Sequence, residues 1–178
     1  MTSQDDDLRM QLVALLPRLR RFARGLAASR DEGDDLLQQA CEKALTRLHQ
    51  FEAGTHLDRW MFQIVKTTHI DRRRQANRRR TADFTDDVVA LVPFDARIEE
   101  QTAARQSLVL VREAVMALPE EQREVLMLVV VDGLSYEDAA NIIGIPQGTV
   151  MSRLSRARQK LARSIETVPS REVASGRS

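Results

Sequence analysis

The chain has 178 residues and a formal charge of +1, with 43% hydrophobic but only 4% aromatic residues. That composition allows one ordinary domain or two small ones around an aliphatic core, and the scarcity of β-branched alternation points to helices. A single cysteine, Cys41, excludes an internal disulfide; no apolar run approaches the ~20 residues of a membrane helix, and the acidic start MTSQDDDLRM does not read as a signal peptide. The small net charge conceals a division. Residues 1–80 hold 16 Lys/Arg against 11 Asp/Glu, residues 81–100 one against six, and residues 101–178 ten against nine.

Residues 8–28 carry a helical apolar period (Leu12, Leu15, Leu16, Leu19, Phe22, Ala23, Leu26), which Pro17 is expected to bend or restart. SRDEGDD supplies capping residues. A second amphipathic helix is predicted over 34–50, with Leu37, Ala40, Cys41, Ala44, Leu45 and Leu48 inward. After the loop FEAGTH, a third helix over 57–80 has the stripe Leu57, Trp60, Met61, Ile64, Val65 and ends in DRRRQANRRR. Trp60 reads as core rather than as a stacking platform. Lys66 and Arg73 lie opposite the Leu57/Ile64 stripe, where they could reach a nucleic-acid backbone outside. Asp71, near the stripe, is expected to pair with a neighbouring Arg. Arg78, Arg79 and Arg80 are either a solvated helix end or phosphate grips.

Residues 81–97 are acidic, aperiodic and contain Pro93, as a linker would. A helix follows to Leu118. Pro119, at a first helical position with acids in the first turn, opens another that ends at Gly133. In LSYEDAANIIG, Ser135 and Asp138 have capping-box spacing, and Gly144 closes the helix as a C′ glycine. The last helix runs from about Pro146 to Ile165, and the tail ETVPSREVASGRS reads as disordered. There is no internal repeat.

Two short helices joined by Gly144-Ile145-Pro146 form a helix-turn-helix candidate. On a wheel of about 100° per residue, Val150, Leu154, Ala157 and Leu161 make one edge. Thr149, Ser152, Arg153, Arg156, Lys160 and Arg163 make another, and no acid interrupts the helix between Pro146 and Ile165. A helix meant only for solvent mixes signs, so this face points to a polyanion.

The stretch LPEEQREVLMLVVVDGLSYEDAANIIGIPQGTVMSRLSRARQKL resembles region 4 of an extracytoplasmic-function (ECF) sigma factor of the sigma-70 family. DDLLQQACEKAL resembles region 2.2, and WMFQIVKTTHIDRRRQANRRR resembles regions 2.3–2.4. The resemblance covers about 150 residues, in the family's order and spacing. It implies an all-α fold of two small helical domains joined by an acidic linker: sigma region 2 over 1–80, linker over 81–97, region 4 over 98–165, and a tail over 166–178. It implies contact with core RNA polymerase through Asp35, Gln38 and Gln39. Lys66, Thr67, Ile70, Arg73 and Arg74, with the Phe51–His56 loop, take the positions of the family's −10 readers. Gln147, Thr149, Ser152, Arg153, Arg156 and Lys160 take those of the −35 readers. This chain departs from the family's usual residues at Gln39, Thr67 and Met151. The linker acids would either mimic nucleic acid against a basic channel or simply be solvated.

The implied partners are core RNA polymerase, promoter DNA and an anti-sigma factor, in the cytoplasm. Neither cofactor nor metal is expected, since His49, His56 and His69 have no ligand spacing with Cys41, and no nucleophile–base pair marks an enzyme. Two rival readings are a dimeric helix-turn-helix regulator and a decoy that captures an anti-sigma factor. The first needs a dimer face or effector domain, neither of which is visible here. The second usually lacks the DNA-facing cations that this chain keeps.

Overall fold

An apolar stripe at helical period has to be covered, and here seven helices cover one another's stripes. The computed structural model describes residues 3–52, 54–82 and 103–166. The helices are α1 (Ser3–Leu26), α2 (Arg30–Thr46), α3 (Leu57–Ala82), α4 (Ala103–Met116), α5 (Glu120–Leu126), α6 (Tyr136–Ile143) and α7 (Gln147–Glu166). A 3₁₀ turn at Leu48–Gln50 follows α2, and a π turn at Met127–Val131 follows α5. The described residues contain no strand. The expected linker and tail fall almost entirely outside them.

The first unit is α1–α3. Leu19, Phe22 and Ala23 of α1 meet Leu36, Ala40 and Ala44 of α2 and Met61, Phe62 and Val65 of α3, all fully buried. Phe22 and Phe62 pack edge to face, centroids 5.2 Å apart. Each large apolar side chain buried in this way contributes about 1.5–3 kcal/mol relative to exposure. Trp60 packs against the core while half-buried, its ring 5.4 Å from that of Phe51.

Two expectations are corrected in this unit. Helix α1 runs through Pro17 without a restart. The proline ring is on the exposed side, so the carbonyl it leaves unbonded lies toward water. Helix α2 starts at Arg30 instead of 34. Ser29 is its N-cap, the Ser29 hydroxyl accepting from the Glu32 N–H at 3.2 Å, while the Glu32 carboxylate accepts from the Ala28 N–H at 3.1 Å. The helix ends at Thr46; Leu45 is exposed and Leu48, beyond that end, is half-buried, while Cys41 is half-buried and packs against the core as expected.

In the second unit, Val125, Leu128, Ala139, Val150, Leu154 and Ala157 form the buried centre. The single helix expected between Pro119 and Gly133 is interrupted, because seven consecutive apolar residues, Val125–Val131, cannot share one face. At the π turn the Asp132 N–H reaches back five residues to the Met127 carbonyl, at 3.0 Å. This wider turn buries Met127 and Leu128 and leaves Val130 and Val131 exposed. Gly133 then takes φ +71° and turns the chain toward α6.

The two units pack on each other. Helix α1 lies against α5 and the π turn, and α3 lies against α6. Gly25 allows the first contact, since a Cβ there would stand 2.9 Å from the Met127 Cε.

Gly33 is the tightest crossing of α1 and α2: a Cβ would stand 2.7 Å from the Arg24 Cα, which is backbone and cannot swing aside. Gly33→Ala gains about 1 kcal/mol of helix propensity, but forcing the helices apart costs about 1–3 kcal/mol. The variant is expected to be net destabilised in urea unfolding.

Candidate nucleic-acid interface

The helix-turn-helix is built by capping at both ends of α6. The Ser135 hydroxyl accepts from the Asp138 N–H at 3.0 Å. At the other end Gly144, at φ +75°, and Ile145 both donate to the Ala140 carbonyl, at 2.7 and 3.1 Å. A side chain in that left-handed conformation would be strained, so glycine sets the angle at which α7 departs.

Helix α7 then divides as its wheel requires. Val150, Leu154 and Ala157 are buried and Leu161 half-buried. Gln147, Ser152, Arg156 and Lys160 are exposed, and Thr149 is half-buried. Arg153 differs from the other cations. Its side chain is only 19% exposed and pairs with Glu121 of α5, Nη2 to Oε2 2.8 Å.

The candidate −10 residues lie on α3, and the structure separates them. Thr67 is exposed, its hydroxyl donating to the Gln63 and Ile64 carbonyls at 2.9 and 3.1 Å. Arg74 is exposed and Ile70 half-buried. Lys66 does not reach outward, which corrects the expectation from the wheel, whereas Arg73 stays exposed while paired. Lys66 Nζ donates to the Ile143 carbonyl at the end of α6 and stands 3.9 Å from Glu124 Oε1. Arg73 pairs with Glu120, whose other oxygen lies 3.0 Å from His69 Nε2. The wheel was right about the face, but a second unit occupies it. Asp71 pairs with Lys43 of α2 at 3.3 Å, not with an arginine.

Burial sets the electrostatics of this seam. It pushes the Glu124 carboxyl up to about 7, against the opposing pull of Lys66. It pulls Lys66 down, with Glu124 opposing, and pulls His69 down against its bond to Glu120. Glu120 is also raised by burial, but its bonds and charge interactions with Arg73 and His69 outweigh that and leave it below its ordinary value. In the sequence Glu120 reads only as a first-turn acid favoured by the helix dipole, and Glu124 carries no signal of its own. Pairing across 47 to 58 positions leaves no local signal.

The outer face of α2 is open. Asp35, Gln38 and Gln39 are all exposed, and Gln38 donates to Glu42 at 3.1 Å. Among the described residues no group of His, Cys, Asp and Glu is placed to hold a metal ion, and no helix is long and apolar enough to cross a membrane.

Comparison with known proteins matches both units. The family model for sigma-70 region 4 covers residues 108–161, and the model for the Sigma2 domain of PhyR covers residues 12–66. The ECF RNA polymerase sigma factor EcfG of Rhodopseudomonas palustris is 37% identical over 157 residues, which span 88% of this chain and 84% of the relative. The chain belongs to the ECF sigma factors of the sigma-70 family.

The ECF sigma factor SigM of Mycobacterium tuberculosis is 34% identical over 82% of this chain and 70% of its own. Among solved structures, the sigma factor RpoE of Bartonella quintana, in complex with the anti-sigma factor NepR, superposes with a TM-score of 0.76. It is 31% identical, with 91% of this chain and 98% of that one covered. CnrH, in complex with the cytosolic domain of CnrY, shares the fold at a TM-score of 0.65 and 23% identity, over 91% and 89% of the two chains.

In this sigma factor the raised Glu124 pKa has a definite sign. The folded state holds a proton near neutrality that the unfolded state has already released. The stabilising contribution is therefore full below the ordinary carboxylate range and is lost as pH rises through about 7. Glu124→Gln lacks this loss. Its stability relative to wild type, measured by urea unfolding, is expected to rise from pH 5 to pH 8.

Proposed function

We propose that this sigma factor recruits core RNA polymerase to promoters through two separated DNA grips and helps open the DNA at the start site. The division of labour is region 2 over 1–80, linker over 81–97, region 4 over 98–165 and a tail over 166–178. Asp35, Gln38 and Gln39 on the open face of α2 contact core polymerase. Lys66, Thr67, Ile70, Arg73 and Arg74 take the −10 element. Gln147, Thr149, Ser152, Arg153, Arg156 and Lys160 take the −35 element. The factor is a transcription initiation factor without catalytic residues of its own; the chemistry is the polymerase's, and the setting is the cytoplasm.

The observation that supports this most directly is the face of α7. An exposed edge carrying Arg156 and Lys160 lies beside a buried Val150/Leu154/Ala157 edge, and Gly144 closes α6 just before this helix begins, as in a helix-turn-helix. The N-terminal residues of such a helix face base edges, while its cations neutralise phosphates. An anti-sigma partner belongs to the same reading, because the related RpoE was solved with one.

Run-off transcription with purified core polymerase tests the proposal. The wild-type chain is expected to direct transcripts from promoters identified by transcript sequencing after overexpression. Arg156→Ala is expected to weaken −35 binding by about 1–3 kcal/mol if it reads a base, leaving core binding intact. Asp35→Ala with Gln38→Ala is expected to do the reverse, lowering core affinity in a pull-down and sparing duplex binding. A chain that binds duplex DNA as a dimer yet directs no transcription refutes the reading.

A further inference from the structure

We propose that Met151 reads the 5-methyl group of a thymine in the −35 element, and that the bare backbone at Gly148 lets the base edge come close enough for the contact. The proposal rests on the sigma reading above and deepens it: the −35 grip selects an apolar group as well as hydrogen-bonding edges.

The exposed side of α7 carries two adjacent rows, each stepping by four residues, about one helical turn. Gly148, Ser152 and Arg156 form one row, and Gln147, Met151 and Ser155 form the other, all of them exposed. The first row leads into a cation; the second has no charge. Met151 is 52% exposed and is the one large apolar side chain turned outward among the described residues of α7. The other large apolar side chains described on this helix, Val150, Leu154 and Leu161, are buried or half-buried on the core edge. At about 100° per residue Met151 lies about 100° from Val150, off the core stripe and on the flank of the outer face. A methionine exposed alone on a surface means little. This one stands one turn after Gln147 and next to Ser152, two of the candidate base readers.

Gly148 is the second observation. It does not have the positive φ of Gly144, and a Cβ built there meets nothing within 4 Å. Alanine would fit and would favour the helix, so neither strain nor packing within the chain requires a glycine. What the glycine leaves is open backbone on the exposed face, three residues before Met151 and therefore beside it.

The major groove offers donors and acceptors at every base pair, but only thymine offers a methyl group there. Arg156 suits a phosphate or a guanine, and Gln147 suits an adenine. A thioether has no such partner among the polar edges. Its flexible, polarisable chain suits the methyl, and the gap at Gly148 gives the methyl a place beside it.

The test uses holoenzyme reconstituted from core polymerase and the full chain, on a dye-labelled promoter fragment whose −35 element comes from transcript sequencing. Each thymine of that element, on either strand, is replaced in turn by deoxyuridine, which removes the methyl and keeps the hydrogen bonds. At one position wild type is expected to lose about fourfold in affinity, read by anisotropy, as the burial of one methyl implies. Met151→Ala and Met151→Gln are expected to bind the thymine and uracil fragments equally at that position. Their urea midpoints are expected to match wild type, since the side chain stands outside the core. Gly148→Ala is expected to be no less stable than wild type, yet to bind the thymine fragment severalfold more weakly. A flat uracil series in wild type overturns the proposal, as does an element without an A·T pair. A uracil cost that persists in both Met151 variants also overturns it, and wild-type binding by Gly148→Ala overturns the close approach. A scrambled −35 element keeps the two readings apart. If scrambling costs about tenfold or more while the uracil series is flat, the −35 grip stands and the methyl contact falls. If scrambling costs nothing, the −35 grip itself falls.

Discussion

The seam between α3 and α5 fixes how the two units of this sigma factor meet. Glu120 and Glu124 sit in the first turns of a seven-residue helix, and they face Lys66, His69 and Arg73 across it. Each partly exposed pair there contributes only about 0.2–1 kcal/mol. The apolar contact beneath, where Met127 fills the space that Gly25 leaves, supplies shape rather than charge. The charges fix which faces meet. Contacts of this strength orient two small units without adding much to their stability.

Burial gives the seam its electrostatic character. A carboxyl pushed up to about 7, and a lysine and a histidine each pulled below its ordinary value, are what three ionisable groups become when they share little water. Separated, each would return toward ordinary behaviour. Loss of the seam on unfolding therefore exchanges protons, and Glu124 and His69 do so with opposite signs.

The remaining architecture serves placement. Gly33 brings α1 and α2 close, so the polar face of α2 points outward. Gly144 sets α7 at its angle, and the π turn after α5 absorbs an apolar run that a regular helix would have exposed on the wrong side. Each is a local backbone solution to a packing requirement. The chemistry-bearing residues lie on the faces that those solutions leave free.

Most of the α-helical design was legible in the residues themselves. The Val150/Leu154/Ala157 period, the Ser135 cap and the Gly144 stop specify the helix-turn-helix because they act over three to seven positions, within the reach of one helix turn or two. The sequence places the start of α2 at 34, past the capping residues of SRDEGDD, and only the crossing of Gly33 with Arg24 shows why a glycine sits inside the helix. The wheel correctly set Lys66 and Arg73 opposite the stripe of α3, but a wheel describes one helix in solvent. Their partners lie 47 to 77 residues away, and no periodicity connects them. The sequence by itself determined the helices, their faces and the cationic edge of α7, since those follow from short-range sterics and spacing. Whether a cation on such a face meets water or a carboxylate was decided only by the docking of one unit on the other.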